Sequence, residues 1–152
     1  MEMIIPILTA AVRSGTPILY ATLGEILTEK GGILNLGLEG IMLMGAYTGF
    51  SVAYSTGSPW LGVAGAFLVG ALMGLVHAFI CVSLKGNQVV SGLALTMFGT
   101  GASSLLGRAF VGFTIPGLPR ISVPILSDIP VAGPVFFSHD ALTYCSYGLV
   151  IF

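Results

Sequence analysis

Charge is what this sequence lacks. Only 7% of its 152 residues are Asp, Glu, Lys or Arg, against about a quarter in an ordinary soluble domain. A surface that poor in charge cannot be covered in water, and a mean hydropathy of +1.02 makes lipid the solvent. There is no basic patch, which excludes nucleic acid as a partner, and a net charge of −1 names no other. Cysteine is scarce too. Cys81 and Cys145 stand alone in apolar segments without CxxC spacing, and read as small buried hydrophobes. The N-terminus, "MEMIIPILTAAVRSGTP", has no basic start; its early charge is Glu2, and Arg13 comes after the apolar run. A cleaved signal peptide is therefore not expected. Also missing are a nucleophile–base pair, a phosphate-binding lysine loop and a carboxylate pair with hydrolytic spacing, so no catalytic chemistry is expected.

What is present is a succession of apolar runs. Residues 4–27 are interrupted by Arg13, Gly15 and Pro17, and form either one kinked span or an interfacial helix followed by a span. Residues 36–54 are a second span. Residues 60–84 are a third, long enough at about 1.5 Å per residue to cross about 30 Å of hydrocarbon with some tilt. Residues 88–106 are a fourth. Residues 141–152 begin a fifth and are too few to cross. A helix stopping in hydrocarbon leaves carbonyls without partners, so the native chain is expected to continue past Phe152. The fold class expected is all-α: a polytopic transmembrane bundle of about four complete spans and the start of a fifth, in a single domain over residues 1–152.

The connections differ in kind. "STGSPW" and "KGNQ" are tight turns. Residues 110–140 instead hold five of the eight prolines (Pro116, Pro119, Pro124, Pro130 and Pro134), a density that forbids a spanning helix. The stretch is too apolar for a flexible linker and reads as a folded loop on the membrane face. Lysine and arginine leave the orientation open: Lys30 and Lys85 fall on one side, Arg108 and Arg120 on the other.

Several positions are candidates for function. In the third run Gly62, Ala66, Gly70 and Gly74 put a small residue at every fourth position, a ridge on which another helix can approach closely. Gly45 and Gly49 form a second GxxxG. In "NQVVSGLALTMFGTGASSLLG", Gln88, Gly92, Thr96, Gly99 and Ser103 share one face that is small, polar and uncharged. It reads either as an interhelical hydrogen-bonding seam or as the lining of a watery path for an uncharged polar solute. In "GGILNLGLEGIMLMGAYTGF", Asn35 reads as the N-cap of a helix beginning at Leu36, with Glu39 near the positive end of its dipole. The other reading is a helix broken inside the protein by Gly31, Gly32, Gly37 and Gly40, its exposed ends facing a substrate. The candidate pathway residues are Asn35, Gly37, Glu39, Gln88, Ser91, Thr96 and Ser103. Glu25 and Glu29 read as a solvated helix end, His77 as a hydrogen-bonded helix residue with no metal partners, and His139 and Asp140 as a helix start.

"TEKGGILNLGLEGIMLMGAYTGF", "NQVVSGLALTMFGTGASSLLG" and "IPGLPRISVPILSDIPVAGPVFF", in that order, resemble permease subunits of bacterial ABC importers. The resemblance covers residues 23–152 and is closest to the nucleoside and simple-sugar branch, which is related to ribose and branched-chain amino-acid permeases. It implies a multi-pass protein of the bacterial cell membrane that pairs with a second permease subunit, the same or a related chain. Two cytoplasmic ATPase subunits would use ATP and Mg, none of it bound by this chain, and an extracytoplasmic binding protein would deliver the substrate. The resemblance further implies that the loop at 110–140 lies outside and Lys85 inside, and places Asn35 and Glu39 in a signature block near the substrate route. The family's cytoplasmic coupling helix has no counterpart in these residues. A membrane scaffold that packs against partner helices without transporting is the alternative expectation.

Overall fold

The computed structural model describes residues 4–122 and 132–151. Helix α1 spans Ile4–Lys30, α2 Leu38–Thr56, α3 Pro59–Ala78 and α4 Gln88–Gly107. A π-helical turn, Phe79–Ser83, prolongs α3, and a 3₁₀ turn, Arg108–Phe110, prolongs α4. After them come strand β1 (Arg120–Ser122), helix α5 (Ala132–Phe136), strand β2 (Ser138–Asp140) and helix α6 (Ala141–Ile151).

Of the two readings of the first run, the single helix is the one formed, since α1 continues through Arg13, Gly15 and Pro17. A proline withholds one amide from the helical ladder, and hydroxyls nearby can help re-satisfy freed carbonyls in a membrane helix. Here the carbonyl that Pro17 leaves without an amide donor is that of Arg13, while the Thr16 hydroxyl donates to its neighbour, the Val12 carbonyl, at 3.0 Å. The all-α, polytopic expectation holds; against about four complete spans, three helices among the described residues are both long and apolar enough to cross: Ile4–Lys30, Pro59–Ser83 and Gln88–Phe110. Helix α2 is about 28 Å long at 1.5 Å per residue, which is sufficient. It is its composition, with Glu39, Thr48, Ser51, Ser55 and Thr56, that sets it apart. The start of a fifth run is α6, at 11 residues.

The chain divides into two compact units, Glu25–Gly117 and the pair Met1–Gly24 with Leu118–Phe152. In the first, α2 packs on both α3 and α4. Gly62 of α3 lies against Gly49 and Ala53: a Cβ on it would stand 2.6 Å from the Gly49 carbonyl oxygen. Ala66 covers Gly45 and Gly49, and Gly70 faces Ile41. Gly74, the fourth residue of the ridge, has open space around it.

In the second unit, β1 and β2 pair antiparallel in the register Arg120↔Asp140, Ile121↔His139, Ser122↔Ser138. This small ribbon within a helical fold was not anticipated, and it occupies part of the proline-rich stretch. Pro124 and Pro130 fall in residues 123–131, outside the described residues. Asp140 does start a helix: its Oδ1 accepts from the Thr143 amide at 2.9 Å and the Thr143 hydroxyl at 2.8 Å. His139 is buried and donates from Nε2 to the Val135 carbonyl at 2.7 Å.

The expectation that both cysteines are buried is corrected: Cys81 is half-buried and Cys145 exposed. Where the surroundings are hydrocarbon, a residue can be apolar and face outward at no cost. Phe67, Leu68 and Leu75 do the same on α3.

Candidate functional site

Helix α1 ends because Gly31 and Gly32 follow Lys30. Gly32 takes a left-handed φ of 81°, and the Ile33 amide closes back on the Thr28 carbonyl at 3.0 Å. The chain then runs without regular structure to Gly37 before α2 begins. Backbone groups in such a stretch have no helical partners, and within a membrane protein they need others. Side chains from three helices supply them.

Gln88, the first residue of α4, clasps the stretch at two points. Its Oε1 accepts from the Leu34 amide at 2.8 Å and its Nε2 donates to the Gly32 carbonyl at 3.2 Å. Glu25 of α1 accepts from the Asn35 amide through Oε1 at 2.9 Å. Thr96 of α4 donates its hydroxyl to the Leu36 carbonyl at 2.8 Å. His77 of α3 pairs Nε2 with the Leu34 carbonyl at 3.2 Å and Nδ1 with the Ser91 hydroxyl at 3.0 Å. A carbonyl can only accept, so Nε2 carries the proton. In the neutral ring Nδ1 then accepts from Ser91.

Asn35 is not the N-cap that its sequence position suggests. Helix α2 starts at Leu38 with Gly37 as its N-cap and no side-chain cap bond. Asn35, 9% exposed, instead turns its Oδ1 onto the Gly37 amide at 3.0 Å, an Asx-type turn inside the connection. Since Asn35 lies before the helix, it and Glu39 do not share a helical face. Glu39 is exposed in the first turn of α2.

Glycine brings the two layers together. A Cβ on Gly92 would stand 2.8 Å from the Leu36 nitrogen, and one on Gly37 would stand 2.9 Å from the Leu95 Cβ. Further along, a Cβ on Gly99 would overlap the backbone of Gly40. From Gln88 to Gly99, then, the uncharged face of α4 lies against residues 32–40. Only Ser103 stands apart from that seam. Its hydroxyl donates to the Thr100 carbonyl at 3.2 Å, and it lines a recess of ≈ 360 Å³ with Leu43, Tyr47, Phe50, Phe110 and Phe113. No charged side chain lines this recess. Phe110 is the centre of its aromatic wall, with ring centroids 5.7 Å from Phe50 and 6.1 Å from Tyr47.

Sequence reasoning missed Glu25, which reads as a solvated helix end, and the clamp that His77 forms. One signal was available for His77: an ionisable residue inside a strongly apolar run needs partners, and Ser91 is a polar residue in the facing run. Among the described residues no group of three or more His, Cys, Asp or Glu is placed to hold a metal ion.

The chain matches, over residues 7–151, the family described as branched-chain amino acid transport system / permease component. It is 44% identical over 142 residues to a Haloferax volcanii permease protein provisionally named for glucose ABC transport, covering 91% of this chain and 43% of the relative. It is 34% identical over 143 residues to a guanosine ABC transporter permease protein of Bacillus subtilis (87% and 45%). A nucleoside ABC transporter permease protein of Lactococcus lactis subsp. cremoris is likewise 34% identical, over 140 residues (84% and 43%). The chain thus spans less than half the length of these relatives. No solved structure matches. With three helices among the described residues long and apolar enough to cross the chain is a multi-pass cell-membrane protein, and the match across residues 7–151 makes it a member of the branched-chain amino acid transport system / permease component family.

Proposed function

We propose that this chain builds part of the permease of an ABC importer for an uncharged polar solute, a nucleoside or a simple sugar. One observation carries the choice of solute: the recess beside Ser103 is walled by aromatic rings and hydroxyls and lined by no charge. Aromatic faces stack on a base or a sugar ring, and serine hydroxyls pair with ligand hydroxyls. An ion or a zwitterion would be left without counter-charges there. The names of the relatives, glucose, guanosine and nucleoside permeases, point to the same class of solute.

In this reading Ser103 touches the solute. Asn35, Gly37, Gln88, Ser91 and Thr96 act one step back, fixing the broken stretch ahead of α2, and Glu39 stands at the start of that helix toward the path. The permease hydrolyses no ATP itself. Two cytoplasmic ATPase subunits bind ATP and Mg, a second permease subunit completes the path, and an extracytoplasmic binding protein delivers the solute. The loop at Lys85 is cytoplasmic and the proline-rich stretch is external.

The scaffold reading draws on a different observation. Most of the uncharged face of α4 is engaged by the protein's own backbone, and a lining should face water instead. Uptake separates the two. The full-length gene product, reconstituted in vesicles with its ATPases and binding protein, should take up labelled guanosine, adenosine or glucose when ATP is enclosed. Assembly of the complex with no uptake of any of them would favour the scaffold.

A further inference from the structure

A second recess, of ≈ 470 Å³, lies between α1 and the start of α6 and is lined by Arg13, Ser14, Thr16, Pro17, Asp140 and Thr143, among others. Arg13 is the only charged residue between Ile4 and Gly24. Among the described residues its guanidinium has no hydrogen-bond or ion-pair partner. Asp140 spends one carboxylate oxygen, Oδ1, on the Thr143 amide and hydroxyl. Its Oδ2 has no partner among the described residues. A cation and an anion therefore border the same recess without pairing. In an apolar helix an unpaired arginine calls for an anion, and an aspartate beside it deters any ligand that is only anionic.

We propose that Arg13 and Asp140 hold the head group of a phospholipid that carries both a phosphate and a primary ammonium. The arginine fork suits phosphate oxygens. The free carboxylate oxygen takes the ammonium. The hydroxyl of Ser14 offers the phosphate a further donor. A free amino acid would meet the same two charges, but the flanks favour an amphiphile. Ile18, one turn from Ser14 on the same face of α1, is 63% exposed, and none of the most apolar stretch of α1 is buried. Acyl chains lie along that face while the head group enters the recess. The recess also sits at a boundary, because α6 begins its apolar run directly after the polar Ser138–Asp140 strand.

The test is native mass spectrometry of the full-length protein, stripped of loose lipid in mild detergent. It is then titrated separately with phosphatidylethanolamine, phosphatidylglycerol and phosphatidylcholine. Phosphatidylethanolamine is expected to be retained about tenfold more tightly than either other lipid, a margin of about 1.4 kcal/mol. Arg13→Gln and Asp140→Asn should each abolish the preference. Asparagine keeps an oxygen for the Thr143 amide, so the second change removes charge while leaving the cap. Arg13→Lys should keep the preference at reduced strength. Equal retention of phosphatidylglycerol, or a preference unchanged in Asp140→Asn, overturns the zwitterionic site. If the variants do not fold, the wild-type comparison alone decides, since absence of a head-group preference there sinks the proposal. None of these readings depends on transport.

Discussion

At Gly99 there is no room for a side chain, because the Gly40 backbone lies where a Cβ would go. Gly99→Ala should force α2 and α4 apart and cost about 1–3 kcal/mol, the usual penalty of overpacking, read as a lower melting temperature of the purified protein in detergent. Gly74→Ala, with open space around it, should melt within error of wild type and serves as the control. Gln88 invites a graded series. Gln88→Glu keeps an acceptor for the Leu34 amide and loses the donor to Gly32; Gln88→Ala loses both. At about 0.5–1.5 kcal/mol for each hydrogen bond, the alanine variant should melt lower than the glutamate variant, and both lower than wild type. Equal melting of all three would mean that water replaces the clasp. Glu39 is a different case. It is exposed and makes no hydrogen bond among the described residues, so Glu39→Ala should leave insertion and melting unchanged while lowering uptake by the assembled importer. Loss of insertion in parallel would make the residue structural.

Elements are where the sequence was most legible, and where it misled in an instructive way. The third and fourth runs were placed within a residue or two, because long apolar stretches bounded by turn residues leave little choice in lipid. The small-residue ridge on α3 pointed to a close helix neighbour, and Gly49 and Ala53 of α2 stand there. Neither the beginning of α2 nor the role of Asn35 could be read the same way. An asparagine before an apolar run satisfies the N-cap pattern, yet the same oxygen serves equally in an Asx turn, and the pattern does not say which amide it meets. The polar face of α4 was legible as a face. What it contacts was not, since its partners are main-chain groups of a stretch that carries no hydrogen-bonding signature of its own. Packing at this scale has a direct test. Gly62→Leu would place a branched side chain against Gly49 and Ala53, while lipid tails are as apolar as leucine and give no compensating drive. Loss of the folded protein, seen as aggregation on size exclusion in detergent, is expected; Leu68→Ala, on the exposed side of α3, should be tolerated.

For the whole molecule the two readings of function turn on where water reaches α4. The inner part of its uncharged face is closed by the chain's own backbone, and Gly92 and Gly99 are buried. Ser103 and Ser104 instead border an open recess with aromatic walls. A water path that follows α4 should therefore touch its later turns and leave the earlier ones dry. Single cysteines at Ser103, Ser104 and Thr96, in a background with Cys81 and Cys145 replaced by alanine, make this measurable in the assembled importer. A membrane-impermeant maleimide should label Ser103→Cys and Ser104→Cys at least about tenfold faster than Thr96→Cys, a ratio equivalent to about 1.4 kcal/mol in access. A saturating transported solute should slow labelling at Ser103→Cys, since the solute would occupy the recess. If Ser103→Cys is as protected as Thr96→Cys, the recess is filled by another helix. The uncharged face is then a packing seam along its whole length, and the scaffold reading gains what the permease reading loses.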